Sequence, residues 1–158
     1  MGILENLNER LEIVDGDPAY GGEDAVKKVV ETSPIPLPED YIEFLKEISG
    51  ERSDGEEILG PEFGVKDEGG SIWIFSAQRA LVNREEFSHP AYDDIIGKIW
   101  LIGNDLGDLV YFYGEGKDGF GLYRDEAGGL GFKYADKIAD TITDFLVHGI
   151  GIDTAITL

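Results

Sequence analysis

The sequence predicts an α+β domain with a central, largely antiparallel sheet and flanking helices. Apolar residues recur at helical spacing in the N-terminal third, and short strand-like runs separated by turn residues follow from Lys98 onward. These runs are about 10 residues apart, which leaves no room for crossover helices and favours antiparallel pairing. Because 158 residues suffice for one core but not two, we expect one domain over residues 1–158.

Residues 1–36 predict a helical and proline-rich lead-in to this domain. An amphipathic helix is expected over residues 3–14, with an apolar face formed by Ile3, Leu4, Leu7, Leu11 and Val14. A second, short helix is expected over residues 25–30, with Lys27 and Lys28 on its exposed side. The run from Ser33 to Pro38 predicts an extended connector, because each proline pushes the preceding residue towards extended angles.

The clearest helical pattern follows the prolines and ends at Gly50. Pro38 suits the first turn of a helix, and the acidic Glu39 and Asp40 suit the positive end of the helix dipole. Apolar residues then recur at helical spacing, namely Tyr41, Phe44, Leu45 and Ile48. This spacing places all four on the face that packs against the rest of the domain.

After the charged loop that ends at Glu57, the pattern is that of strands, interrupted by one helix that Ser76 is expected to cap. A hairpin is expected around the turn residues Asp67-Glu68-Gly69-Gly70. The predicted strands are Ile58–Leu59, Phe63–Lys66, Ser71–Phe75, Ile99–Ile102, Leu109–Tyr113, Phe120–Arg124 and Leu130–Tyr134.

The C-terminal residues return to a helical pattern. A last helix is expected over residues 138–146, with Asp136 near its cap. His148 at the end of this helix is explained by the favourable interaction of a cation with the helix dipole. The apolar tail Ile150–Leu158 is expected either to add an edge strand or to pack down, and the sequence leaves both alternatives open.

The charge of the chain narrows the classes of partner. There are 33 acidic and 13 basic residues, which gives a formal net charge of -20. Such a chain repels nucleic acid and anionic membranes, because binding to phosphates depends on clustered lysine and arginine. It attracts basic proteins, cationic ligands or bulk water. The acids are spread along the whole chain, so a solvated surface explains most of them whatever the protein binds.

Three absences from the sequence bear on the location of the protein. Cysteine is missing, which excludes a disulfide framework and a thiolate nucleophile. No apolar run approaches the ~18 residues of a membrane span, and the first residues lack the pattern of a signal peptide. We therefore expect a cytoplasmic protein.

Three motifs that resemble cofactor sites fail on their context. Gly114-x-Gly116-x-x-Gly119 matches the dinucleotide fingerprint, but a strand is predicted where the fingerprint needs a helix, so hairpin glycines with positive backbone angles are expected. In Asn104–Asp108, Leu106 stands where a calcium loop requires an oxygen ligand, and the polar side chains are expected to bond their own backbone. His89 and His148 have no metal-ligand spacing. We expect no cofactor and no metal.

Acidic pairs and aromatic residues also give no catalytic signature. Adjacent acids such as Glu56-Glu57 arise by chance in so acidic a chain, whereas a glycosidase needs two carboxyls at a defined separation. The sequence contains no G-x-S-x-G nucleophile elbow. Aromatic residues on predicted strands are expected to form the core and cross-strand pairs, and they are Trp73, Trp100, Tyr111, Phe112 and Tyr113.

Four segments carry a family resemblance: LPEDYIEFLKEISG (Leu37–Gly50), SIWIFSAQRAL (Ser71–Leu81), IWLIGNDLGDLVYFYGEGKDGFGLYRD (Ile99–Asp125) and DKIADTITDFL (Asp136–Leu146). Together and in this order they resemble the SUKH superfamily, which includes fungal cell-wall-assembly regulators and bacterial immunity partners of polymorphic toxins. The resemblance implies an α+β fold, no catalysis and a role in binding another protein. It matches Gly107 and Asp108 to the glycine-aspartate turn of the family, which we interpret as fold-defining.

These observations lead to three alternative hypotheses for the function. The leading hypothesis is an immunity protein that neutralises a basic toxin, such as a nuclease, through its acidic surface. The alternatives are a regulatory or scaffolding module of the same fold and a small carboxylate-dependent hydrolase. The acids expected to face a partner lie in loops that connect strands, and they are Asp105, Glu115, Asp118, Asp125 and Glu126.

Overall fold

A seven-stranded sheet organises the computed structural model, which describes residues 2–16, 18–51, 55, 57–88, 90–130 and 135–156. Each strand pairs antiparallel with the next one in the chain, so the sheet is a meander. The α+β prediction is confirmed. The strands are β1 (Leu11–Asp15), β2 (Glu62–Val65), β3 (Ser71–Ile74), β4 (Ile99–Asn104), β5 (Leu109–Gly116), β6 (Gly119–Glu126) and β7 (Asp136–Ala139).

The described residues also form five α-helices that pack on the sheet and on one another. Helix α1 packs against α2 and α3, and α2 packs against α4. The short C-terminal helix α5 contacts β3 and β7. The helices are α1 (Glu23–Thr32), α2 (Glu39–Ile48), α3 (Ala77–Glu86), α4 (Ile142–Leu146) and α5 (Ile152–Ile156). No helix among the described residues is long and apolar enough to cross a membrane.

The main core lies between the helices and one face of the sheet. The four apolar residues predicted for the helix after Pro38 are all buried in it, as the spacing indicates. Ser76 caps α3 as predicted, because its side chain accepts a hydrogen bond from the backbone N–H of Arg79 (3.0 Å). A second cluster covers the other face of β4–β6, and its members are Phe87, Ile95, Ile99, Leu101, Val110, Phe112, Tyr123 and Ala135. None of these described members comes from β1–β3.

Buried tyrosine hydroxyls connect the strands to the helices. The indole N–H of Trp100 donates to the Tyr41 hydroxyl (2.9 Å), which joins β4 to α2. The Tyr113 hydroxyl accepts the backbone N–H of Ile142 in the first turn of α4 (2.9 Å). The Tyr111 hydroxyl donates to the carbonyl of Ala155 in α5 (3.2 Å). These bonds satisfy polar groups that no water reaches, including groups that a helix end leaves without a partner.

The helix predicted over residues 3–14 is wrong. The structure has a short 3-10 helix at Leu4–Asn6 and then strand β1. Asn8 separates the two, because its side-chain oxygen accepts the backbone N–H of Arg10 (3.0 Å) in a local turn. Beyond this turn, Leu11 and Ile13 alternate with glutamate and pair with β2. Leu11 fits both a helical spacing and the alternation of a strand. Pairing with β2 makes this segment a strand.

The predicted C-terminal helix is correct only in its second half. Residues 136–139 form β7, which pairs with β6, and Asp136 is therefore in a strand rather than near a cap. Thr141 caps α4 instead, since its hydroxyl accepts the backbone N–H of Asp144 (3.0 Å). Within the described part of the C-terminal tail, Ile152–Ile156 form helix α5 and not an added edge strand.

Two further strand predictions have separate outcomes. The segment Ile58–Leu59 is a loop. In the predicted strand Leu130–Tyr134, Leu130 is not in a strand, and residues 131–134 lie outside the described residues.

We expect Tyr113→Phe to lower the free energy of unfolding by about 1–3 kcal/mol, because the buried N–H of Ile142 loses its acceptor. The same substitution at Tyr20, which is 72% exposed, should change stability by less than about 0.5 kcal/mol. Urea denaturation followed by circular dichroism measures both values. Equal effects would show that the buried hydroxyl does not stabilise α4.

Stability should also fall at alkaline pH. Burial raises the pKa of Tyr41, Tyr111 and Tyr113 above the ordinary value of 10.0. The folded protein then holds these protons more tightly than the unfolded chain, so stability is intact below pH 10 and decreases as the pH rises above it. Tyrosinate absorbance from the buried residues should appear together with the loss of circular dichroism. Full titration of all 7 tyrosines in a folded protein would contradict this prediction.

Candidate protein-binding surface

The acidic residues predicted to face a partner lie at two opposite ends of the sheet. Leu109 pairs with Glu126, which places the turn containing Asp105 beside the end of β6. Glu115 and Asp118 lie at the β5–β6 hairpin instead. Strand β5 has 8 residues, and at a rise of about 3.3 Å per residue its first and last residues are about 23 Å apart. The five acids therefore form two groups, one at each end of the β5–β6 pair.

The carboxylates of two of these acids accept hydrogen bonds from backbone N–H groups nearby in the chain. Asp105 accepts hydrogen bonds from the N–H groups of Gly107 (2.8 Å) and Leu109 (3.2 Å). Asp125 is only 8% exposed, and one of its oxygens accepts the N–H of Glu126 (2.8 Å). These contacts confirm that the turn side chains bond their own backbone. Of the three acids at this end of the sheet, Asp105, Asp125 and Glu126, only Glu126 is exposed.

Leu106, rather than Gly107, has the left-handed conformation in the β4–β5 turn. Its φ is +65°, whereas Gly107 is not among the residues with positive φ. The left-handed angle of this turn therefore lies at Leu106, and Gly107 does not adopt it. Asp108 fixes the turn to the end of β6, since its carbonyl accepts the N–H of Ala127 (2.8 Å). Leu106 is 53% exposed, so an apolar side chain is held in a strained conformation at the surface.

A row of side chains crosses the sheet beside this turn. Asp15, Glu62, Trp73 and Asn104 are consecutive partners across β1, β2, β3 and β4. Neighbouring strands are about 4.8 Å apart, so Glu62 is the direct neighbour of the indole. Glu62 and Trp73 are half-buried, whereas the alternate residues of their strands are fully buried. The row thus presents two carboxylates and an aromatic ring to the less covered face of the sheet.

Trp73 is fixed by contacts on several sides. Its indole N–H donates to the carbonyl of Leu59 (3.0 Å). Its ring meets Phe75 edge to face, with centroids 4.7 Å apart. The guanidinium of Arg79 lies over the ring at 5.7 Å and is 3.5 Å from Glu86. The indole is therefore preorganised before any partner binds.

These residues enclose what we call the Trp73 pocket, a cavity of about 260 Å³. Its walls are Asp15, Gly16, Leu59, Gly60, Glu62, Trp73 and Leu106. Gly16 has a φ of +75°, and a Cβ there would lie 2.6 Å from the Gly60 carbonyl. This close approach brings the end of β1 against the loop before β2. Leu59 and Leu106 are 40% and 53% exposed and form an apolar rim.

A second acidic groove lies between α2, α4 and the N-terminal turn, but its central carboxylates have structural partners. Buried Glu47 accepts the backbone N–H groups of Ile3 (3.1 Å) and Leu4 (3.3 Å). Asp40 accepts the hydroxyl of Thr143 (2.7 Å). The negative charge of Glu47 raises the pKa of the nearby Tyr20. These carboxylates stabilise the attachment of the N-terminal turn and of α4.

The motifs that resemble cofactor sites remain structural. Gly114, Gly116 and Gly119 belong to the β5–β6 hairpin, where a strand follows the last glycine, and only Gly119 of the three has a positive φ. Among the described residues, no group of three or more histidine, aspartate and glutamate side chains is arranged to hold a metal ion. His89 lies outside the described residues.

A family model described as SMI1 / KNR4 family (SUKH-1) matches residues 22–148, which is most of the chain. The chain belongs to the SMI1 / KNR4 family. The resemblance to the SUKH superfamily is confirmed, and it begins earlier than Leu37. No curated protein matches this SUKH-1 chain at a significant level. Strand β1, which supplies Asp15 to the pocket, precedes the matched residues.

Sequence reasoning about this SUKH-1 chain missed the pocket. The strand pattern predicts Trp73 in the core and in cross-strand pairs, and the helix predicted over residues 3–14 does not bring Asp15 beside Glu62. One signal was present in the sequence. Leu106 is an apolar residue inside an otherwise polar turn, where a turn alone favours glycine, asparagine or aspartate.

We expect Leu106→Gly to raise the free energy of unfolding by about 0.5–1 kcal/mol, because glycine adopts a positive φ without the Cβ clash. Leu59→Gly is the matched control, since Leu59 is a similarly exposed pocket residue without a positive φ. That substitution should be destabilising, because it only adds freedom to the unfolded chain. Thermal melts compare the two variants. A lower Tm for Leu106→Gly would show that the turn is not strained.

Proposed function

We propose that this chain is a non-catalytic protein-binding domain and that it acts as an immunity protein against a basic toxin. Membership of the SUKH-1 family supports binding to a protein partner. We propose the cytoplasm as its location, because the sequence lacks cysteine. We also infer that residues 1–158 act as one unit, since β1 is part of the same sheet as the family-matched strands.

The Trp73 pocket is the observation on which this proposal depends. Protein interfaces are enriched in tryptophan, and the residues that dominate binding energy lie in preorganised pockets surrounded by apolar contacts. Trp73 is oriented by its bond to Leu59, and the exposed Leu59 and Leu106 surround it. The strain at Leu106 costs stability that folding alone does not require. Both features favour a contact surface at this end of the sheet.

The net charge of -20 supports a basic partner. Such a field steers cationic proteins towards the surface and raises association rates by about 10- to 1000-fold at low salt. The two carboxylates of the pocket, Asp15 and Glu62, add a short-range attraction at the contact itself. A basic toxin such as a nuclease has the surface charge that this field attracts.

A carboxylate-dependent hydrolase gains no support from the second groove. Glu47 and Asp40, the central carboxylates of the second groove, accept hydrogen bonds from structural groups. The SUKH family is generally non-catalytic. The regulatory or scaffolding module is the alternative that the following experiment separates from immunity.

We expect the chain to bind the product of the gene beside its own and to protect cells that express that product. Binding together with protection identifies an immunity protein. Binding to a non-toxic product would identify a regulatory module instead. Absence of binding would contradict the proposal for this partner.

The location of the contact is tested by two double variants that remove equal charge. Asp15→Asn/Glu62→Gln should raise the dissociation rate about tenfold, which corresponds to about 1.4 kcal/mol. Glu115→Gln/Asp118→Asn, at the other end of the sheet, should leave the dissociation rate unchanged. For both, association should slow between about 0.01 and about 0.15 M salt, as the Debye length falls from about 30 to about 8 Å. Stopped-flow kinetics measures both rates. An equal effect of the two variants on dissociation would exclude the pocket as the contact.

A further inference from the structure

We propose that the Trp73 pocket binds one arginine side chain of the partner, with the guanidinium against the indole and paired with Glu62. This inference rests on the proposed function only for the origin of the arginine in a basic protein. The pocket itself supplies the chemistry for recognition. It combines an aromatic ring, two carboxylates and an apolar rim within one small cavity.

The size of the pocket favours a single side chain. Its volume of about 260 Å³ is below the about 300–1,000 Å³ of typical sites for small molecules and cofactors. Leu59 and Leu106 form the apolar part of the wall, which suits the methylene stem of a long side chain. Asp15, Glu62 and Trp73 are consecutive neighbours on three strands, so a charged head in the pocket lies close to both the carboxylates and the indole.

The charge of the walls selects a cation. The described residues that line the pocket include Asp15 and Glu62 and contain no lysine or arginine. Arg79 lies over the indole but is not part of the pocket wall, and its own carboxylate neighbour is Glu86. The negative charge of the pocket is therefore not balanced from within its walls.

The geometry favours arginine over lysine. A guanidinium is planar, stacks on aromatic rings and donates two parallel hydrogen bonds to a carboxylate, whereas an ammonium is a compact and strongly hydrated charge. The chain already uses both of its tryptophans in this way. Arg79 lies over Trp73 at 5.7 Å, and Arg84 lies over Trp100 at 5.6 Å. The proposed arginine would repeat this contact on the part of Trp73 that lines the pocket.

The probe for this proposal is Nα-acetyl-arginine amide, and the matched control is Nα-acetyl-citrulline amide, which has nearly the same shape but no charge. Proton–nitrogen correlation spectra of the full chain show one indole resonance for each of its 2 tryptophans, and Trp73→Phe assigns them. Trp100 is fully buried and serves as the internal reference. Titrations are run at constant ionic strength, so that screening is the same for both probes.

We expect the arginine probe to shift the Trp73 indole resonance in a saturable manner and to leave that of Trp100 in place. The citrulline probe should bind at least about tenfold more weakly. Asp15→Asn and Glu62→Gln should each weaken the arginine probe by about two- to fivefold, as expected for exposed ion pairs. Glu115→Gln/Asp118→Asn should leave its affinity unchanged.

Equal binding of citrulline, or an unsaturable shift, overturns the arginine pocket. Equal binding of Nα-acetyl-lysine amide overturns the selectivity for a guanidinium. The proposed function is tested separately by the toxin experiment. If the pocket variants release the toxin but the arginine probe does not bind, the protein-binding surface stands and the arginine assignment fails. If the probe binds but the toxin does not, the pocket stands and the immunity role fails.

Discussion

The fold depends on the need to satisfy the buried hydroxyl groups of its core tyrosines. Tyr41, Tyr111 and Tyr113 are fully buried in the main core. A hydroxyl removed from water without a partner costs about 1–3 kcal/mol, so each must lie beside a polar group of another element. The partners are an indole in β4 and the backbone of α4 and α5. Hydrophobic burial brings these helices to the sheet, and the hydroxyl bonds restrict the positions at which they can pack.

The candidate site lies on the part of the sheet that the helices and the second cluster leave less covered. Helices cover one face of the sheet, and the cluster around Phe112 covers the other face of β4–β6. The outer positions of β2 and β3 remain half-buried. Trp73 lies at such a position, next to a turn in which Leu106 is strained. An aromatic ring left accessible beside a strained apolar residue is better explained by a contact surface than by folding.

The sequence predicted those elements whose apolar spacing matches one period and whose ends have clear signals. The helix after Pro38 has a proline start and an apolar face, and α3 has Ser76 as its cap. The prediction failed where one pattern fits two periods, as at Leu11, or where pairing with a distant strand decides, as at Asp136. The pocket was missed for the same reason. Asp15, Glu62 and Trp73 are far apart in the chain, and only the register of three strands makes them neighbours.

Charge and contact geometry have different roles in this protein. A net charge of -20 acts over a Debye length and depends little on where each acid lies, so it favours encounter with any basic protein. Discrimination between basic proteins needs short-range contacts, which the Trp73 pocket offers at one place. Its Glu62, Trp73 and Leu106 lie within the family-matched residues, whereas Asp15 lies on β1 outside them. Four of the five β1 residues are exposed, so substitutions on this strand can change one wall of the pocket with little effect on the core.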